Sequence, residues 1–206
     1  LFAGGIISAI ISSSISITLK IYNSTISNSV AGTNGGGIYV HKLVYDNLTF
    51  INNNATYGGA LYWLSGTYTI KDFQETAHAP DIENMVFINN TATQGGAIFI
   101  PTKSSIVSNN NFTGNNASEN GGAVYVNANT VSVSYNNFTE NNASYGGAIY
   151  IGSGTVTNCN FTDNSASLGS AVLFWNEGTV SNCNFTDNSA TSDGGAIWMY
   201  YGSVEN

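Results

Sequence analysis

The stretch Cys183-Asn184-Phe185-Thr186-Asp187-Asn188-Ser189-Ala190, continued by Gly194-Gly195-Ala196-Ile197-Trp198-Met199, decides the fold because it recurs. Its first half stands 24 residues upstream almost unchanged, as Cys159-Asn160-Phe161-Thr162-Asp163-Asn164-Ser165-Ala166. A segment that returns at a fixed period is a structural unit being stacked, which settles architecture before any propensity is considered. Aligned on the aromatic residue, the copies read Ile26, Phe50, Phe87, Phe112, Phe138, Phe161 and Phe185, with gaps of 24, 37, 25, 26, 23 and 24 residues. Five positions earlier stand Ile21, Tyr45, Ile82, Val107, Val133, Val156 and Val180, and five positions later an alanine in every copy, from Ala31 to Ala190. Glycine pairs follow, beginning at Gly35, Gly58, Gly95, Gly121, Gly146, Gly169 (where Ser170 replaces the second glycine) and Gly194.

A unit of this length with short apolar strands and Gly or Asn corners is not a leucine-rich repeat, whose Leu and Asn spacing is missing. It fits a parallel β-helix, in which each repeat is one coil of about three short strands. Coils stack at about 4.8 Å, so every alignment column becomes a ladder of like side chains. Side chains alternate along a strand, which places Ile98 and Ile100, Val124 and Val126, Ile149 and Ile151, and Ile197 and Met199 inside. Tyr39, Tyr62, Phe99, Tyr125, Tyr150 and Trp198 then form an outward aromatic row, interrupted by Leu173. Such rings either stack on one another and shield the sheet or meet an extended glycan or a protein, so these six are the candidate ligand-binding residues. Asn53, Asn90, Asn115, Asn141, Asn164 and Asn188, headed by Ser29, read as a structural ladder of stacked amides. The glycines supply backbone freedom at a corner or let coils approach. No helix follows them to cradle a phosphate.

Charge is scarce: four Lys, no Arg and twelve Asp or Glu give a net charge of −8. A nucleic-acid partner needs a basic stripe to neutralise phosphates, and the chain has none. An anionic membrane surface is disfavoured for the same reason. The N-terminal run Leu1 to Ile17 is apolar but lacks a basic leader and a cleavage site, and no apolar run reaches transmembrane length. No transmembrane segment is expected.

Cys159 and Cys183 share a column with Leu48 and Met85 and are expected to point inward. Adjacent rungs bring their Cα atoms within disulfide range, but parallel side chains make the S–S torsion awkward, so buried free thiols are favoured over a bridge. Neither a CxxC pair nor a His-rich tract accompanies them, and no metal or other cofactor is expected. Asn-x-Ser/Thr recurs, for example at Asn47, Asn54, Asn111, Asn116, Asn137, Asn142, Asn160 and Asn184. The repeat itself generates these sequons, and on a secreted host some would accept glycans.

The enlarged gap holds one coil plus about 13 further residues, the excess of 37 over 24. Residues 64–81, which include Lys71, Asp72, Glu75, His78 and Asp81, break the repeat and read as a loop inserted at one corner. Gly4-Gly5-Ile6-Ile7 looks like a degenerate glycine corner, and Gly202-Ser203-Val204 begins a unit as Gly154-Thr155-Val156 does. Polar capping repeats are not evident at either end, so a longer array is expected.

Phe138 to Asn141 followed by Gly146-Gly147-Ala148-Ile149 resembles the repeat of polymorphic outer-membrane proteins. It is also similar to the adhesin-like right-handed β-helix proteins of methanogenic archaea. The resemblance runs from about Ile21 to Met199 and implies secretion to the cell surface and a part in attachment, with a glycan or a cell-surface protein as partner. The expectation is therefore an all-β chain, a single right-handed parallel β-helix over residues 1–206 with about eight coils. Its expected function is non-enzymatic, as an adhesin-like attachment segment or a structural stalk. The alternative is a polysaccharide lyase or glycoside hydrolase working along the flank. Enzymes of that kind rest on basic residues with calcium carboxylates or on clustered Asp. Here Arg is absent, Asp163 and Asp187 are stacked copies, and His41 and His78 have no evident Ser or Cys partner, so no catalytic residue is assigned.

Overall fold

The structure, a computed structural model, describes residues 7–8, 19–40, 43–63, 81–101, 105–127 and 130–205. Its regular elements are all strands, and they pair in parallel with the strand one coil away, as the repeat requires. The alignment columns are the physical registers. Asn111, Asn137, Asn160 and Asn184 pair in line, as do Phe112, Phe138, Phe161 and Phe185.

One coil illustrates why the chain closes. Strand Asn160–Thr162 ends at Asp163, strand Ser165–Leu168 ends at Gly169, and strand Val172–Ser181 ends at Asn182. Those three residues have left-handed backbone, with φ of 54°, 57° and 51°. A left-handed residue turns the strand sharply, and Asn, Asp and Gly accept that conformation at least cost. Three such corners give three sides. In the preceding coil the longest side is two strands, Ile149–Ile151 and Gly154–Thr157.

The two glycines of each pair do different work. The first is the left-handed corner, from Gly35 to Gly194. The second lies where coils touch: a Cβ on Gly122 would stand 1.9 Å from the Gly147 carbonyl oxygen, and one on Gly96 2.0 Å from that of Gly122. Both readings of the glycine pair were needed.

Inside, Phe50, Phe87, Phe112, Phe138 and Phe161 are fully buried and stack ring on ring, with centroids 4.8–5.1 Å apart and planes within 5°. Ile98, Ile100, Val124, Val126, Ile149 and Ile151 line the same interior, fully buried, and Ile197 and Met199 pack against it half-buried. The inward set is as expected.

The Phe side has seven rungs against the expected eight coils, and Ile7–Ser8 adds an eighth rung on the other side by pairing with Ile38–Val40. That pairing sets Ile7 on Ile38, in agreement with the degenerate glycine corner. Gly154, Gly178 and Gly202 are likewise in register. Residues 64–80 of the inserted loop lie outside the described residues. Asp81, placed at the loop's end from the sequence, instead opens strand Asp81–Glu83, which pairs with Ser105–Ser108.

Candidate functional site

The aromatic row forms, but its geometry changes what it offers. Tyr39, Tyr62, Phe99, Tyr125 and Tyr150 follow one another with ring centroids 4.9–5.2 Å apart, the last three contacts stacked within 20°. Parallel rings at that distance are face to face, because rings lying side by side would need more room. The faces are therefore taken by neighbours, and edges and hydroxyls are what point outward. Of the two readings of the row, this geometry is the one in which the rings shield the sheet, and Phe99, expected on the outward row, is only 8% exposed, covered also by Tyr57 at 5.1 Å. Leu173 is buried too. Burial pushes the Tyr39, Tyr62, Tyr125 and Tyr150 phenols up, Tyr150 to about 12. Trp198 stands apart from this stack, 6.5 Å from Trp175.

The asparagine ladder forms through hydrogen bonds that run from each rung to the next. Asn115 is fully buried; its backbone N–H and its side-chain Nδ2 both donate to Asn141 Oδ1 at 3.0 Å, and Nδ2 also donates to the Phe87 carbonyl at 3.1 Å. Asn53, Asn90, Asn141 and Asn164 repeat the pattern, and Ser29 N–H joins at the head.

A second ladder, at the other end of the short Phe strand, was missed. Asn110 donates through its backbone and its Nδ2 to Asn136 Oδ1, and Asn136 N–H donates to Cys159 Sγ at 3.4 Å. Cys159 N–H donates in turn to Cys183 Sγ at 3.4 Å. Leu48, Met85, Asn110, Asn136, Cys159 and Cys183 are one column, so the thiols carry on, weakly, what the amides do. The signal was available: Asn110 and Asn136 stand two before Phe112 and Phe138, as the cysteines stand two before their own Phe. Both cysteines are free, Cys159 buried and Cys183 half-buried. A hydrogen bond from the Cys159 thiol holds the Cys183 thiol below its ordinary range and pushes that of Cys159 up.

Where the inserted segment separates two coils, Tyr45 bridges the break. Its hydroxyl donates to the Asp81 carbonyl at 2.6 Å and accepts from Glu83 N–H at 2.8 Å. Burial, first of all, pushes this phenol up to about 12. On the surface, Asn137, Asn160 and Asn184 each donate Nδ2 to the asparagine one rung back at 2.9–3.0 Å. These are sequon residues, and one N–H of each side-chain amide is engaged by a neighbour.

Among the described residues no three His, Cys, Asp or Glu side chains come together in a way that could hold a metal. His41, His78, Lys71, Asp72 and Glu75 lie outside the described residues. No described helix is long and apolar enough to cross a membrane.

The family model for the right-handed beta helix region matches residues 69–206, well over half of the chain. The chain belongs to that family. Comparison with curated proteins and with solved structures gives no match. For this right-handed β-helix, the match and the parallel registers agree on architecture. The β-helix is a scaffold, and fold does not carry activity with it.

Proposed function

We propose that this β-helix is a non-enzymatic, secreted, surface-displayed segment of the adhesin-like type, a rigid stalk that presents an attachment surface. One observation carries the reading. The repeated polar, aromatic and thiol columns are spent on contacts between rungs: amide to amide, ring face to ring face, thiol to backbone. A unit spent on its own stacking suits a stiff rod better than a reaction site, since catalysis needs positioned acids, bases or metals left free to meet a substrate. The repeat resemblance to surface proteins, quoted above on Phe138 to Ile149, supports the same direction.

The test is adhesion. Displayed on the surface of a non-adherent cell, the chain should raise attachment to cells or immobilised glycans above that of a scrambled-coil control. In parallel, the purified chain is incubated with pectin, polygalacturonate and neutral polysaccharides, with and without calcium, across pH. Release of unsaturated or reducing ends would overturn the non-enzymatic reading in favour of a polysaccharide lyase or hydrolase. Absence of attachment together with absence of turnover would leave only the stalk half of the proposal.

A further inference from the structure

We infer that Asn89 is an N-glycosylation site, the asparagine of this chain that receives an oligosaccharide from a lipid pyrophosphate carrier. The inference rests on the secreted reading above, because that transfer takes place on the far side of a membrane. The eight sequons quoted above are joined by Asn23-Ser24-Thr25 and Asn89-Asn90-Thr91. All ten asparagines are exposed, and none of the buried ladder asparagines begins such a triplet. Strand alternation explains the division for the strand sequons: Asn and the hydroxyl residue two positions on share one face, with an inward residue such as Phe138 or Ala143 between them. A sugar on any of the ten therefore stays out of the core. Exposure does not choose among them; hydrogen bonding does.

On the flat faces the sequon amides serve the stack. Asn137, Asn160 and Asn184 each donate to the asparagine one rung back, and Asn142 donates to Asn116 at 2.8 Å. At a corner, Asn47 donates to Asn23 at 3.3 Å. Each member of these runs is bonded to a neighbour as donor, acceptor or both. Asn54 belongs to no such run, but the Thr56 hydroxyl of its triplet donates to the Gly32 carbonyl at 2.9 Å. That hydroxyl is the group by which a sequon is recognised.

Asn89 differs on both counts. It is a left-handed corner, φ 52°, whose backbone N–H donates to the Thr113 carbonyl at 2.9 Å. Among the described residues, neither its side-chain amide nor the Thr91 hydroxyl has a hydrogen-bond partner. The reason lies in the corner column Asn28, Asn52, Asn89, Gly114. Asn52 donates to Asn28 at 3.3 Å, and the run stops there. Gly114 has no side chain to carry it on, and a Cβ on Gly114 would collide with Asn89 Oδ1. The glycine thus leaves room for the Asn89 side chain. The position is inside the stack: strand Val86–Ile88 pairs with Leu43–Ile51 on one side and Asn111–Thr113 on the other. In the transfer, Asn89 Nδ2 bonds to the anomeric carbon of the carried sugar. The bond from that carbon to the pyrophosphate oxygen breaks, the lipid pyrophosphate leaves with the electron pair, and the amide gives up one proton.

The folded 206-residue chain is incubated with a single-subunit oligosaccharyltransferase and a lipid pyrophosphate-linked oligosaccharide, and occupancy is mapped by glycopeptide mass spectrometry. Short synthetic peptides carrying the Asn89 and the Asn137 triplets serve as unfolded acceptors. Both peptides should be modified, whereas on the folded chain Asn89 should be occupied at least tenfold more than Asn137, Asn160 or Asn184. Thr91→Ala should abolish sugar at Asn89 with unchanged circular dichroism, while Thr93→Ala should not. Gly114→Asn, which suits a left-handed corner, should extend the amide run to Asn89 and lower its occupancy several-fold. Equal occupancy along the folded chain, a bare Asn89 beside a modified Asn89 peptide, or a Gly114→Asn chain as fully occupied as the parent would each overturn the proposal. The adhesion assay separates this from the broader reading. If Asn89 stays bare and the displayed chain attaches, the site falls and attachment stands; if Asn89 is modified and display confers no adhesion, attachment falls and the site stands.

Discussion

At the scale of single residues, the informative positions are those where the repeat is broken and a side chain repairs it. Tyr45 is one: its hydroxyl serves two backbone groups of strand Asp81–Glu83, which follows the inserted segment. Tyr45→Phe removes both bonds and should cost about 1–3 kcal/mol, the price of leaving buried polar groups unsatisfied, read as a lowered denaturation midpoint. The same phenol has its pKa raised from 10.0 to about 12, chiefly by burial. A folded value above the unfolded one stabilises fully below pH 10 and is lost as pH rises through about 12. Alkaline titration followed by phenolate absorbance should therefore show late-ionising tyrosines, one fewer in Tyr45→Phe, with unfolding setting in across that window. Cys183 is the second position. The hydrogen bond from Cys159 keeps its thiol low, and it is the more exposed of the two. Iodoacetamide near neutral pH should label Cys183 first and leave Cys159 unlabelled until the chain unfolds. Mass spectrometry showing equal labelling would contradict the ladder described above.

At the scale of the element, corners and ladders decide which residues are replaceable. Asn115 donates from Nδ2 to Asn141 Oδ1 and to the Phe87 carbonyl. In Asn115→Asp, a carboxylate would face those two acceptors with no proton to give, so the cost should exceed about 3 kcal/mol at neutral pH. Burial and the facing oxygens would raise the new carboxyl's pKa, so part of the stability should return as pH falls and the group takes up a proton. A variant whose stability is independent of pH would contradict that account. Tyr135 gives a prediction of opposite sign, for it holds a left-handed corner at φ 56° that the other coils give to Asn. Tyr135→Asn should stabilise by up to about 1 kcal/mol, since left-handed backbone costs bulky L-residues about 1–2 kcal/mol and Asn less. Sequence columns alone did not separate these corners from strand positions; the backbone angles did.

At the scale of the whole molecule, the β-helix is a stack in which each coil touches its neighbours only, so stability is a sum over coils and interfaces. Phe138 lies mid-stack between Phe112 and Phe161, each 4.8–4.9 Å away. Phe138→Ala should cost about 3–5 kcal/mol and, unlike a lesion in a globular core, should weaken one boundary between two halves. Hydrogen exchange should then show protection lost first around Phe138 and retained further from it. Uniform loss along the chain would argue for a single cooperative unit.

The sequence by itself determined the period, the parallel stacking, the inward Phe and aliphatic columns and the inner asparagine ladder. These are one-dimensional facts: in a stack, spacing along the chain becomes position in space, so columns such as Phe50 to Phe161 and Asn53 to Asn188 could be read directly. Tertiary structure alone decided how side chains on one column meet. The row from Tyr39 to Tyr150 was legible as a row, but whether its faces were open depended on ring tilt, and the rings stack. The Asn110 to Cys183 ladder needed hydrogen bonds across chemically unlike residues to be seen as one feature. The slipped pairing between Phe174 opposite Met199 and Glu177 opposite Tyr201 likewise appears in the columns only as a spacing, and in the structure as two residues facing one.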